Sequence, residues 1–240
     1  MITDLRRLWH QAFGDTDAFL DCFFSQGYSA DRCRYLSVEG RLAAALYWFD
    51  CSCRGENIAY LYAIATDEAF RNQGLCRRLM EQTHAHLRAQ GYAGAILVPG
   101  SKALFSFYEK LGYRTCCSVT EKSVQAGCAV PLTPVDSTAY VALRRSLLPE
   151  GGVLQEGPTL DFLRCFADFY AGDGFLLAAS TEGETAIVHE LLGCGDLSGI
   201  TAALGAKTAR FRMPGSAMPF AMYYPLTAAP APDYFGLALD

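Results

Sequence analysis

Arg71, Asn72, Gln73, Gly74, Leu75 and Cys76, followed directly by Arg77 and Arg78, combine residue types suited to holding an anion. Gly74 lets the main chain pass close to a ligand, and the first turn of a helix opening there leaves N–H groups without intrahelical acceptors. The helix dipole adds about half a positive charge at that end, and the three arginines add whole ones. A phosphate or pyrophosphate is the ligand this chemistry suits. Other reactive side chains give weaker signals. His84 and His86 stand two apart on a helix and cannot face one site together, and His189 on an expected strand reads as a core or pocket residue. The ten cysteines include Cys51-x-Cys53 and the adjacent Cys116-Cys117, but no Cys-x-x-Cys pair and no histidine at zinc-ligand spacing, so no metal site is expected. They read as small buried hydrophobes of a reducing compartment.

The elements that must position the anion-binding residues are legible on both sides. Tyr60–Thr66 is an aromatic and β-branched run that predicts a buried strand. After the acidic turn at Asp67-Glu68, Leu75, Leu79, Met80, Thr83 and Leu87 repeat at helical spacing, which predicts a helix with one buried face and Gly91 as its C-cap. Ala95–Val98 predicts the next strand, 102–111 a helix closed by Gly112, and Tyr113–Lys122 a further strand.

Two segments in this order carry a resemblance. Arg71-Asn72-Gln73-Gly74-Leu75-Cys76 resembles the pyrophosphate loop of the GNAT N-acetyltransferases, Arg/Gln-x-x-Gly-x-Gly/Ala, with Cys76 where the family has Gly or Ala. Ser101-Lys102-Ala103-Leu104-Phe105-Ser106-Phe107-Tyr108-Glu109-Lys110-Leu111-Gly112-Tyr113 resembles the family's second segment, a helix ending in Tyr-Glu-Lys-x-Gly-Tyr/Phe. The match spans about residues 58–114. It implies acetyl-CoA as co-substrate and no metal. The pantetheine would lie against the open edge of the strand at Ile64, Ala65 and Thr66, where a main-chain N–H would polarise the thioester oxygen. Arg71, Asn72, Gln73, Gly74, Leu75 and Cys76 would wrap the pyrophosphate. Tyr108 would be the general acid that protonates the departing thiolate, and Ser101 stands near where many relatives carry an Asn that bonds the pantetheine. Relatives with a carboxylate base place it near Ile58, which accepts no proton; Glu56, Asp50, Asp240 and a water chain remain as alternatives.

Upstream, residues 3–13 and 15–27 read as amphipathic helices, Arg34–Val38 and Leu42–Phe49 as a hairpin turning at Glu39-Gly40, and Asp50–Asn57 as a polar loop. The family's customary strand ahead of the first helix has no counterpart here, so that position is empty or filled from elsewhere. Residues 1–125 form the expected catalytic domain, and 126–240 repeat its plan. Pro134–Leu147, Thr159–Tyr170 and Asp196–Leu204 read as helices, and Phe175–Ala179, Thr185–Leu192, 208–213, 219–226 and 234–239 as strands. The second half's counterpart of the junction, Glu190-Leu191-Leu192-Gly193-Cys194-Gly195-Asp196, lacks the motif, and Asp196 would repel a phosphate, so no CoA is expected there. Gly199–Lys207 has the wrong spacing for a P-loop. The fold class expected is therefore α/β (α+β). It comprises tandem GNAT-like domains, each a mixed, mostly antiparallel twisted sheet flanked by helices, the second degenerate and completing the acceptor pocket. Ile64-Ala65-Thr66, and Pro99 ahead of the Phe107-Tyr108 helix, are similar to the Eis-type amine acetyltransferases.

Composition bounds the rest. A chain of 240 residues, 51% apolar and 19% charged, can build a substantial core. No run approaches the roughly 18–20 apolar residues of a membrane helix, and Met1–Arg7 carries no secretory segment, so a cytoplasmic protein away from membranes is expected. Residues 1–125 carry 14 Lys/Arg against 13 Asp/Glu, whereas 126–240 carry 6 against 12. No basic stripe offers a nucleic-acid site. The acidic half would steer a cationic small-molecule amine toward the site. The activity expected is transfer of acetyl from acetyl-CoA to a primary amine by direct attack. The alternative is a non-catalytic acyl-CoA-binding or scaffold protein of the same fold, and oligomeric state is open, a homodimer included.

Overall fold

The structure, a computed structural model, describes residues 1–239. Helices α1 (Ile2–Phe13) and α2 (Asp17–Cys22) open the chain, α2 running on into a wider turn over Phe23–Gly27. Leu5, Leu8 and Trp9 form the buried stripe of α1, and Trp9 Nε1 donates to Asp15 at 2.7 Å, which fixes the corner between the two helices. Strands β1 (Cys33–Val38), β2 (Arg41–Cys53) and β3 (Glu56–Thr66) form an antiparallel meander. Helix α3 (Leu75–Ala89) then crosses over to β4 (Gly94–Leu97), parallel to β3; α4 (Lys102–Glu109) and β5 (Arg114–Gln125) follow.

The second half contains β6 (Thr133–Pro134), α5 (Ser137–Leu147), β7 (Leu154–Gln155), α6 (Pro158–Leu163), β8 (Asp168–Gly172), β9 (Phe175–Glu182), β10 (Thr185–Gly193), α7 (Leu197–Ala203), β11 (Thr208–Pro214) and β12 (Met218–Pro225). Among the described residues all strands join one sheet, in the order β1-β2-β3-β4-β12-β5-β11-β10-β9-β8-β6, with β7 beside β2. Only β3–β4 and β10–β11 are parallel, each pair joined through a helix, so the two halves repeat one plan. The mixed, mostly antiparallel sheet anticipated from the sequence is present. β1 is an edge, and no described strand lies outside it.

The last strand breaks the order of the chain. β12 lies between β4 and β5, antiparallel to both, so the second half completes the sheet of the first. The fit is tight at Gly94, where a Cβ would fall 2.0 Å from the Tyr223 hydroxyl oxygen. One core cluster packs α3 and α4 on one face of the first half through Leu79, Met80, Tyr108 and Tyr113. A larger cluster joins α1, α2 and α6 to strands of both halves through Trp9, Phe23, Tyr47, Phe162 and Phe235, and a third gathers around α7.

Several expected elements differ. The polar stretch Asp50–Asn57 is no loop: β2 and β3 pair to Cys53↔Glu56 and turn on Arg54-Gly55, both at positive φ (51° and 81°). The helix expected over 159–170 stops at Leu163, because Asp168–Gly172 pairs with β9. Residues 234–239 form no strand, yet Tyr234, Phe235, Leu237, Ala238 and Leu239 are buried. They lie against a fully buried ion pair in which Arg144 Nε and Nη2 donate to Glu190 Oε2 and Oε1 at 2.7 and 3.0 Å.

Candidate functional site

β3 and β4 stay in register only from Ile58↔Gly94 to Tyr60↔Ile96. β4 ends at Leu97 and the chain leaves through Val98-Pro99-Gly100, while β3 continues to Thr66, so the two strands part like a V. On its other side β3 carries a bulge. The register with β2 passes from Ala45↔Ala65 to Tyr47↔Tyr62, and Ala63 takes a left-handed φ of 47°. The extra residue bends the strand just beyond the point where its pairing with β4 ends. A cleft of about 1250 Å³ begins there.

Tyr108, Ile64 and Ser101 line this cleft together. Tyr108 projects from α4, 7% exposed, with its ring edge-on to Phe107 and Tyr113. Its hydroxyl makes no hydrogen bond to another described residue, and burial pushes its pKa above the usual phenol value. Ser101 is the N-cap residue of α4, its backbone extended and its side chain turned from the helix amides. Ala65 and Thr66 lie past the bulge, paired with Ala45 and Ala44, and do not line the cleft.

Arg71, Asn72, Gln73, Gly74, Leu75 and Cys76 form the approach to α3, outside the cleft walls. Gly74 caps the helix at φ 75°, a conformation that costs other residues, and a Cβ there would meet nothing within 4 Å. Among the described residues no main-chain or side-chain group accepts from the N–H groups of Asn72 to Arg77. The arginines are loosely held: Arg71 Nε donates to the Thr66 carbonyl at 3.3 Å and its Nη1 lies 3.3 Å from Glu68, while Arg77 reaches the Lys110 carbonyl at 3.4 Å. The Cys76 side chain turns into the core beside α4, where burial pushes its thiol up to about 11. It thus leaves the outer face of the loop open despite being larger than Gly or Ala. The arrangement can receive an anion of the size of a diphosphate.

The candidate bases lie elsewhere. Asp50 is held on the outer side of β2 by Arg32 Nε at 2.7 Å and the Tyr92 hydroxyl at 2.5 Å, and Glu56 sits beside the β2–β3 turn; neither lines the cleft. Asp240 lies outside the described residues. His84 lies on the buried face of α3, its Nε2 2.7 Å from the Tyr113 hydroxyl and its ring stacked on Tyr224 at 4.0 Å; burial, aided by Arg88, lowers its pKa to about 4. His86 faces Arg34 instead.

Much of the cleft comes from outside the two motif segments. Phe13, Asp15 and Phe19 supply one wall from the α1–α2 corner, and Ser180, Glu182, His189, Arg212 and Phe220 another from the second half. His189 occupies a bulge in β10, where the register with β9 slips between Val188 and Glu190, and its Nε2 lies 2.9 Å from Ser180 Oγ. This bulge repeats the one at Ala63 in the first half. Four carboxylates line the cleft (Asp15, Glu109, Glu121, Glu182) against two cations, Lys102 and Arg212, and Arg212 is paired with Glu121 at 3.3 Å. Among the described residues no three metal-ligating side chains converge, and no helix is long and apolar enough to cross a membrane.

The helix start in the second half is filled differently. Asp196 Oδ1 accepts from Ser198 N at 3.1 Å and Ser198 Oγ at 2.8 Å, so the protein's own carboxylate occupies the place an anion would take. These bonds lower the Asp196 pKa.

A family model described as an acetyltransferase (GNAT) domain matches residues 1–116. A protein from Enterococcus faecalis V583, described as a probable N-acyltransferase, superposes with a TM-score of 0.71 at 15% identity, covering 94% of this chain and 70% of that one. Eis1 from Mycobacterium abscessus gives 0.66 at 13% identity, with 92% and 70% covered. A tandem GNAT protein from the clavulanic acid biosynthesis pathway gives 0.58 at 10%, with 95% and 96% covered. At such identities these likenesses show the fold, which runs through both halves. No curated protein matches the chain.

Proposed function

We propose that the chain is an acetyltransferase of the GNAT type, as the match of residues 1–116 to that domain supports, and that it transfers an acetyl group from acetyl-CoA to a primary amine, its first half binding the thioester and its second half completing the acceptor site. The observation that carries this is the opening between β3 and β4, with unclaimed loop amides at one end and the Tyr108 phenol inside it. The free edge of β3 at Leu61–Ile64 offers main-chain groups to the pantetheine, as an added strand would use them. The amides of residues 72–77 and the nearby arginines suit the diphosphate. A neutral amine attacks the thioester carbonyl carbon, the C–S bond breaks, and Tyr108 gives its proton to the leaving sulfur. The amine nitrogen loses its proton to solvent or a base in the cleft. A β3 amide polarises the carbonyl oxygen during attack. No covalent enzyme intermediate is required.

The excess of carboxylates in the cleft supports a cationic acceptor. Calorimetric titration with CoA, followed by thiol release from acetyl-CoA over a panel of primary amines, tests the reading. Binding with turnover is the expected result. Absence of CoA binding refutes the proposal, and binding without turnover on any amine replaces it with a carrier-binding protein.

A further inference from the structure

We propose that the buried Arg144–Glu190 pair is a positioning device that sets residues 234–239 against the cleft, and so governs acceptor binding while leaving CoA binding alone. The acceptor half of this claim rests on the acetyltransferase reading; the positional half does not.

Residues 234–239 form part of the cleft wall through Leu239, beside Tyr60. Such a buried segment is normally fixed by a ladder, but here, among the described residues, the one β-bridge to it is the isolated pairing of Gly152 with Tyr234. Side chains hold the segment instead. Gln155 Nε2 donates to the Leu237 carbonyl at 2.7 Å, Leu239 N donates to the Tyr60 hydroxyl at 3.3 Å, and the Phe235 ring lies 4.8 Å from that of Tyr60.

The ion pair grips this segment from two sides. The Tyr234 hydroxyl donates to Glu190 Oε1 at 3.0 Å. Arg144 Nη1 donates to the Val153 carbonyl at 3.0 Å, and Val153 N donates to the Tyr234 carbonyl at 2.8 Å. Gly236 bends closely over the network, since a Cβ there would lie 1.9 Å from the Tyr234 hydroxyl oxygen and 3.0 Å from Glu190 Oε1. Both charged side chains are 0% exposed. A buried pair is an inefficient source of stability compared with apolar packing, but each bond fixes a position. Glu190 also directly follows His189 at the β10 bulge, so the same strand position that anchors the segment presents the His189 side chain to the cleft.

The test compares Tyr234→Phe and the double variant Arg144→Met/Glu190→Leu with wild type. The first removes a single hydroxyl; the second removes both charges together, so no lone charge is buried and folding is retained. Hydrogen exchange read by mass spectrometry should rise about tenfold or more in the peptide covering 234–239, with α3 and β3 unchanged. The calorimetric CoA affinity should stay within about twofold, while KM for an amine that the wild type acetylates should rise about fivefold or more. Unchanged exchange in the folded variants overturns the positional claim, and equal losses for CoA and amine overturn the acceptor claim. A wild type that binds CoA but acetylates no amine overturns the acetyltransferase reading and the acceptor claim with it, leaving the exchange result to decide the positional claim.

Discussion

A phenol serves as a proton donor only while it keeps its proton, and Tyr108 keeps its own because burial penalises the phenolate. Tyr108→Phe should therefore leave CoA affinity unchanged in calorimetry and lower turnover by about 10²-fold or more. His84 shows the same physics with the sign reversed. Its folded pKa of about 4 lies below the ordinary 6.5, so the unfolded chain binds the proton first. Stability is full above pH 6.5 and falls as pH drops toward 4, by about 3 kcal/mol, levelling off below. Urea melts at pH 7 and pH 4.5 should show a smaller difference in His84→Gln than in wild type. The helix start at Gly74 and the place of Tyr108 on α4 could be read from the sequence because each depends on near neighbours in the chain. The partners of His84, Tyr113 and Tyr224, stand 29 and 140 residues away, and no local pattern announces them.

At the scale of the element, the opening depends on one residue held against its preference. Ala63 sits at φ 47°, where an L side chain costs about 1–2 kcal/mol. Ala63→Gly should raise unfolding free energy by about 0.5–1 kcal/mol, and Ala63→Val should lower it by a similar amount or more, both measured in urea. The bulge leaves no trace in Tyr60–Thr66, which reads as an ordinary strand, so its counterpart at His189 was invisible as well. Other misreadings have physical causes. Asp50, Ser52 and Asn57 gave the β2–β3 hairpin the polarity of a loop, although Arg54-Gly55 is a fair turn signal. In 166–171, Ala167, Phe169 and Ala171 alternate as a strand does, and pairing with β9 prevails over helical continuation. Asp196→Ala should cost about 1 kcal/mol, because Asp196 caps α7.

Across the whole molecule most helices and most strands along the chain were legible, since each follows from local periodicity. The insertion of β12 was not, because it pairs Met222 with Leu97 and with Thr115 across long stretches of chain. With that strand shared, the halves cannot separate without unzipping β4 and β5. Differential scanning calorimetry should show one transition, and the fragment 1–125 expressed alone should lack the native near-ultraviolet signal that the full chain gives. Two resolved transitions, or a well-ordered fragment, would contradict this.

The same insertion has a consequence for synthesis. Met218 leaves the ribosome roughly ninety residues after Gln125, a delay of about 5–20 s at ordinary elongation rates. During that interval the nascent first half carries two unzipped strand edges side by side, the kind of surface that recruits chaperones or a neighbouring chain. The cleft between β3 and β4 can reach its final shape only when the far end of the polypeptide returns to close that seam.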